Sequence, residues 1–309
     1  MRCRALALAL SLAACSGGEV TEEAASPIVG GAPTSGDPAV VMLVSYPLDK
    51  STFETCTASL IAPDVLLTAA HCVDPATHAG FTFGVFPGAD ASAYPTVATL
   101  APHLLTVSGA HPHPDYDPEA PFHADIAVVT LAEPLDVTPL PWNRAPLPAS
   151  IAGAEARLVG YGQTKYGDFN AEKHQADTVV AALGSDDTVV VGDLKHRSCV
   201  GDSGGPALVI LDGVETIVGV DSYAETSGCL EPAHYRRTDV HAAFLDTYAP
   251  PPTPTPVDAG SGGAGGSSSG GGGGEESTGG CALGAGAPAT STWAAAAIVA
   301  VLALLRRRR

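Results

Sequence analysis

Cationic side chains are scarce in this sequence: 15 Lys and Arg stand against 33 Asp and Glu, a formal net charge of -18. A surface so acidic repels phosphate, which excludes nucleic acid as a partner; beyond solubility the charge says little else. Metal-binding patterns are missing as well. The ten histidines and seven cysteines form no HExxH and no close Cys/His ligand spacing, so no metal and no other cofactor is called for. A long helical period is also absent. Between 28 and 248 the apolar residues fall in short runs split by turn residues: VVMLVSY, SLIAPDVLLTAA, IAVVTL, ARLVGYG, TVVVG and ALVILDGVETIVGV. Runs of this kind at about ten-residue spacing, with no alternating helices, predict an all-β barrel or sandwich. Asp212-Gly213, flanked by apolar runs, marks a hairpin.

What is present centres on GDSGGP, Gly201 to Pro206. A serine becomes a nucleophile at neutral pH when a base takes its proton and backbone N–H groups receive the charge that builds on the substrate oxygen. The glycines around Ser203 permit positive φ and close approach of a substrate, and a tight turn would aim the N–H groups of Gly201 and Ser203 into one hollow. LLTAAHC, Leu66 to Cys72, offers His71 as base at the end of an apolar run. HADIAVVTL, His123 to Leu131, puts Asp125 at the head of another. A serine hydrolase needs these three residue types to meet in space, with the carboxylate fixing the imidazole tautomer. Asp115 and Asp117 are weaker candidates for that carboxylate because prolines break their loop. Trp142 and Tyr161 read as core.

In their order, IVGG (Ile28 to Gly31), TAAHC, DIAVV, LVGYGQT (Leu158 to Thr164), GDSGGP and HYRRTDVHAAFLDTY (His234 to Tyr248) resemble the motifs of the trypsin/chymotrypsin-like serine proteases. The resemblance spans roughly seven tenths of the chain and implies two six-stranded antiparallel β-barrels with a short C-terminal helix over Asp239 to Tyr248. His71 and Asp125 would come from the first barrel and Ser203 from the second. It further implies disulfides Cys56–Cys72 and Cys199–Cys229, which need an oxidising compartment. HPHPDYD, with His111 and His113, is similar to a structural segment that precedes the catalytic Asp in many members. The reaction implied is hydrolysis of protein or peptide substrates through an acyl-enzyme. Two rivals are a catalytically silent surface adhesin on the same fold, which usually lacks one of the three residues, and an esterase with a GxSxG elbow, which needs alternating helices.

The same resemblance implies that cutting before Ile28 frees an amine that pairs with Asp202 and sets the oxyanion turn. Pro27 stands where a Lys or Arg would precede the cut, so an activating protease of another specificity is implied. For the substrate pocket, the family position that holds an Asp in trypsin-like members holds Arg197, followed by Ser198; the wall segment matches Asp221 to Ala224, with Ser222 and Tyr223 in its strand and Ala224 facing Ala233, beside His234. A cation at the floor would repel Lys and Arg. Two readings stay open: Arg197, with His234, binds an acidic substrate side chain, or it pairs internally with Asp221 or Glu225 and leaves a small neutral pocket.

Both ends of the chain differ in character from the middle. Residues 1–15 carry a basic start, an apolar run too short to span a bilayer and Leu12-Ala13-Ala14-Cys15, which resembles a lipobox with Cys15 as the lipidated residue. Residues 16–27 read as a propeptide, and 28–249 as the protease domain. Residues 250–280 form a Pro-rich then Gly/Ser-rich linker unable to build a core, and 281–309 resemble a MYXO-CTERM sorting tail with Cys281, an apolar segment and four arginines. The expected location is therefore outside the cytoplasm, at the cell envelope or surface or released extracellularly, with membrane anchoring through the termini and with export, lipidation and sorting machinery as partners.

Overall fold

The computed structural model describes residues 28–119, 122–163, 171–184 and 187–251. The leader with Cys15, the propeptide, most of the linker and the tail with Cys281 lie outside the described residues. Nearly every apolar run becomes a strand. The first half holds β1 (Ala32–Pro33), β2 (Val40–Pro47), β3 (Glu54–Ala62), β4 (Val65–Thr68), β5 (Phe81–Phe86), β6 (Leu105–Pro112) and β7 (Ala127–Leu131). Of these, β2 to β7 close into an antiparallel barrel in the order β2-β3-β4-β7-β6-β5. The second half holds β8 (Glu155–Gly160), β9 (His174–Leu183), β10 (Thr188–Val191), β11 (Pro206–Leu211), β12 (Val214–Tyr223) and β13 (Ala233–Arg237). These run β9-β10-β13-β12-β11-β8, and the β8–β9 pairing completes a second barrel, with β1 added along β9. The fold is thus two six-stranded antiparallel barrels.

Strand β2 explains why its sequence shows no polar alternation. Val41 and Leu43 enter one cluster with Leu60, Leu67 and Val128, while Met42 and Val44 enter another with Phe86, Leu100 and Tyr161. Both faces of the strand are covered, so both sets of alternating side chains must be apolar. The second barrel has its own core, built on Leu158, Val180, Val189, Ala207 and Tyr235. Trp142 and Tyr161 are buried as expected.

The Asp212-Gly213 hairpin joins β11 to β12, and both residues have the positive φ that such a turn demands (51° and 81°). The C-terminal helix is shorter than its sequence pattern: α1 covers Ala242–Leu245, one turn, with Leu245 fully buried. Phe244 and Tyr248 continue the contact with the first barrel, and Arg144 binds Asp246 and the Ala249 carbonyl oxygen. Among the described residues no helix is long and apolar enough to cross a membrane.

Thr57 on β3 joins the barrels at the point that matters for chemistry. Its N–H donates to the Ser203 carbonyl (2.8 Å) and its hydroxyl donates to the Gly201 carbonyl (3.0 Å) while accepting from the Tyr161 N–H (3.1 Å). One threonine in the first barrel therefore fixes the serine turn of the second.

Candidate active site

Strand β4 ends at Thr68, and the following 3-10 turn, Ala70–Cys72, lifts His71 out of the barrel wall. Asp125 stands just before β7 and is fully buried. The turn leading to it holds Phe122 and Ala124 at φ of 50°, a left-handed conformation that costs a side-chain-bearing residue about 1–3 kcal/mol. That strain aims the Asp125 carboxylate at His71. One oxygen accepts the His71 backbone N–H (2.8 Å), and the other lies 2.8 Å from His71 Nδ1. Ser222 donates its hydroxyl to the same second oxygen at 2.6 Å. With three donors around it the carboxylate cannot turn, Nδ1 carries the proton, and Nε2 keeps its lone pair free for a nucleophile. Burial pulls the His71 pKa down, yet the Asp125 hydrogen bond and charge, with the Asp221 charge behind, hold it above the ordinary value.

Ser203 lies on a turn that only glycine can build at two points. Gly201 has φ of 97° and Gly204 has φ of 82°. A Cβ at Gly204 would fall 2.1 Å from Thr68 Oγ1 and 2.4 Å from the Thr57 carbonyl oxygen, so the two barrels approach each other through this missing side chain. The backbone hydrogen bonds run from Asp202 to the Cys199 carbonyl, from Gly204 to the Asp221 carbonyl and from Gly205 to the Asp202 carbonyl. The N–H groups of Gly201 and Ser203 donate to no acceptor among the described residues. They are the two donors that sequence reasoning assigned to the oxyanion.

His71, Gly201 and Ser203 line one cleft of about 420 Å3, shared with Cys56 and Cys72. Cys72 Sγ comes within 3.8 Å of the Ser203 carbonyl oxygen. Cys56 and Cys72 are joined by a disulfide, as are Cys199 and Cys229, one pair in each half of the molecule.

Asp202, beside the nucleophile, is 3% exposed. Its carboxylate accepts the N–H groups of Cys199 (2.9 Å) and Gly162 (2.8 Å) and packs against two glycines; a Cβ on Gly160 or Gly162 would fall 2.1 or 2.4 Å from it. Burial outweighs those two donors and pushes its pKa up to about 7. Ile28 is 1% exposed in the second core, and Val29 bridges to Arg197. The expected Ile28–Asp202 ion pair requires an amine, whereas in this uncut chain the Ile28 nitrogen is a peptide amide.

A second hollow opens beside Ser203. Of the residues expected in the substrate pocket, Ser198, Ser222, Tyr223, Ala224 and Ala233 line it. Arg197 and His234 are not among its lining residues. The Arg197 guanidinium turns away to the carbonyl oxygens of Cys229 and Leu194. His234 stacks on Tyr223 (ring centroids 4.5 Å apart) with its Nε2 3.6 Å from Glu225. The Arg197 guanidinium donates to these two backbone carbonyl oxygens and forms no ion pair with Asp221 or Glu225 among the described residues; the Asp221 carboxylate receives the Ser198 hydroxyl. Asp221, the first residue of the expected wall segment, lines the hollow as well. Sequence reasoning missed the Ser222 bond to Asp125 and the Thr57 clamp.

Comparison with known proteins gives a consistent answer. The family model described as Trypsin matches residues 28–245. A trypsin from Saccharopolyspora erythraea is 30% identical over 195 residues, 57% of this chain and 78% of that protein. A tryptase from Mus musculus is 28% identical, covering 63% of this chain and 78% of its own length. Among solved structures, one described as "Structure of GrC" superposes with a TM-score of 0.58 at 24% identity, over 71% of this chain and 98% of its own, which speaks for the fold.

Proposed function

Because the chain belongs to the trypsin family of serine proteases, we propose that it is an exported serine endopeptidase that cleaves peptide bonds with His71, Asp125 and Ser203. The observation that carries this reading is the fixed His71–Asp125 pair, with its third donor from Ser222, facing the same cleft as a serine whose turn leaves two N–H groups unused. His71 Nε2 takes the Ser203 proton as the hydroxyl oxygen attacks the substrate carbonyl. The electron pair moves to the carbonyl oxygen, where the Gly201 and Ser203 N–H groups receive it. Collapse expels the amine, which takes the proton from His71, and water then releases the acyl group by the reverse route.

Activation by a cut before Ile28 belongs to the same proposal. Ile28 is held at φ of 49°, a conformation a β-branched residue adopts only under constraint, and the cut removes the preceding carbonyl that makes it costly. The freed ammonium would give buried Asp202 a counter-charge and convert a carboxyl poised near neutrality into a fixed anion. Residues 16–27 would serve as propeptide, with Cys15 lipidated before the cut, and 281–309 as the surface anchor after it.

The test is turnover of an unstructured protein by the activated enzyme and its variants. Ser203→Ala and His71→Ala should each lose several orders of magnitude, and the double variant should lose no more than either alone. Undiminished turnover in Ser203→Ala contradicts the assignment.

A further inference from the structure

The cleft at Ser203 does not end at the nucleophile. Two hollows meet there and share Ser203 and Val200: one runs along β12 past Ser222 and Tyr223, the other past His71 and the Cys56–Cys72 disulfide to Thr55, Glu54 and Phe53. With the side chain before the cut in the β12 hollow, the half of the substrate that leaves as the amine lies in the other, beside the imidazole that protonates it. Its path follows the start of β3, where Phe53 stands three residues before Cys56, about 10 Å along an extended chain.

Phe53 is also a wall of a further hollow, of about 330 Å3. Met42 and Leu100, both buried, form its floor, and Ala91, Tyr94 and Pro95 stand around it. Among the described residues no charged side chain lines it. Its rim at Ser92 and Pro95 is exposed, so it opens to solvent. The walls are fixed before anything enters. The Tyr94 ring stacks on His103 (centroids 4.0 Å apart) and meets Phe86 edge-on, while the Ala91 N–H donates to the Ala171 carbonyl (2.9 Å) and the Tyr94 N–H to the Ala91 carbonyl (2.9 Å). The hydroxyls of Thr96 and Thr99 cap the helical turn Val97–Leu100. Beneath, Met42 and Leu100 pack with Tyr161, whose hydroxyl donates to the Gly88 carbonyl (2.7 Å). A rigid apolar hollow open to water leaves its lining short of contacts, which an apolar side chain restores.

We propose that this hollow is an exosite of the protease, and that it takes an aromatic side chain of the substrate about three to four residues beyond the cut, on the leaving side. This rests on the serine endopeptidase reading of the Ser203 site. The occupant is the substrate itself because Phe53 belongs to both hollows, so a chain leaving the nucleophile along β3 passes over Phe53 from one into the other. The size selects the side chain: about 150 Å3 of apolar cavity suffices for a benzene ring, so this hollow has room for a whole phenylalanine side chain and is too large for a methyl group to fill. Phe53 and Tyr94 offer an incoming ring the faces and edges that aromatic pairs prefer.

The experiment takes a fluorogenic peptide that the activated enzyme cleaves, keeps the residues before the cut, and places a single Phe in turn at each of the first six positions after it, each compared with Ala at that position. The Phe-to-Ala ratio of kcat/KM should peak at the third or fourth position, about tenfold or more, carried by KM. Ser92→Trp, which plugs the hollow from its rim, and Tyr94→Ala, which removes a wall, should each bring that ratio near one. Both peptides are read on one preparation, so a variant that folds poorly lowers both rates and the ratio still reports on the hollow. A flat profile in wild type overturns the proposal, as does a peak at any other position or a peak that either variant leaves intact. Self-association of the activated enzyme that Ser92→Trp abolishes, together with a flat profile, assigns the hollow to a second copy of the chain and overturns it too. A small alkyl phosphonate separates the two levels of the reading. Labelling of wild type at Ser203 with a flat profile defeats this inference alone; no labelling of the activated chain defeats the protease reading with it.

Discussion

The two barrels bring their shares of the site to different stages of readiness. In the first, His71 and Asp125 are already locked: two hydrogen bonds join them, strained backbone at Phe122 and Ala124 aims the acid, and Asp125 has every donor it needs. In the second, Ser203 and its two N–H groups hang on a turn whose buried carboxyl, Asp202, has backbone donors but no ion-pair partner among the described residues. Hydrogen bonds to the Asp125 carboxylate suffice to fix the acid–base pair. On the activation proposed above, the cut before Ile28 would supply the interior charge that holds the turn open for an oxyanion, and control would then lie in the second barrel with the first as a constant.

The comparison breaks most sharply at Asp202. Asp202→Asn keeps the size but only one of the two backbone acceptor contacts, and it cannot become an anion, so the cut chain should lose roughly a hundredfold or more in kcat, on the scale of losing an oxyanion donor. Rates on matched substrate before and after the cut check this; an Asp202→Asn enzyme that gains full activity on cutting places control elsewhere. A smaller effect is expected in the first barrel, where Ser222→Ala removes one hydrogen bond to a charged acceptor. That should reduce kcat about tenfold and move the acid limb of the pH profile upward, since an Asp125 freed of one donor draws the His71 proton harder. The unmodified enzyme should itself lose activity on acidification with a midpoint above that of an ordinary histidine.

The smallest expected effect is on stability, and its sign follows from the two raised carboxyl groups. Asp202 and Asp221 hold their protons to about 7 and about 8 in the folded uncut chain, whereas unfolded aspartates release theirs near 3.8. Between those values the folded state binds more protons than the unfolded state, so stability falls as pH rises from about 4 to about 8. Chemical denaturation of the uncut chain should therefore show a higher midpoint at pH 5 than at pH 8, and Asp221→Asn should flatten the difference. A midpoint that rises over this range means that neither carboxyl is held neutral by the fold.

Much of this was legible in the sequence because it is written in local constraints. Gly201 and Gly204 advertise positive φ, the runs on β2, β7 and β12 advertise covered strands, and Asp212-Gly213 advertises its own turn. The cysteine pairing followed from family resemblance and is met by both disulfides. What escaped were features that depend on where a long or buried side chain finds its partner. Position alone put Arg197 at the pocket floor, but a guanidinium on a flexible stem goes to the nearest unpaired carbonyls, and those belong to Cys229 and Leu194. Asp221, one of the two partners read for that arginine, lines the pocket with the rest of its wall segment instead. The C-terminal helix was overdrawn because the apolar spacing through Tyr248 serves packing against the first barrel beyond the last helical turn.

The central claim is that a complete catalytic centre forms around Ser203 when the chain is cut before Ile28. The most direct measurement is the mass of the covalent adduct left by a serine-directed phosphonate on the same preparation before and after that cut, with the modified residue located by peptide mapping. One equivalent on Ser203 after the cut, at a rate at least about a hundredfold above that of the uncut chain, is the predicted result. No adduct on the cut chain, or labelling of Ser203 at the same rate before and after, would contradict it.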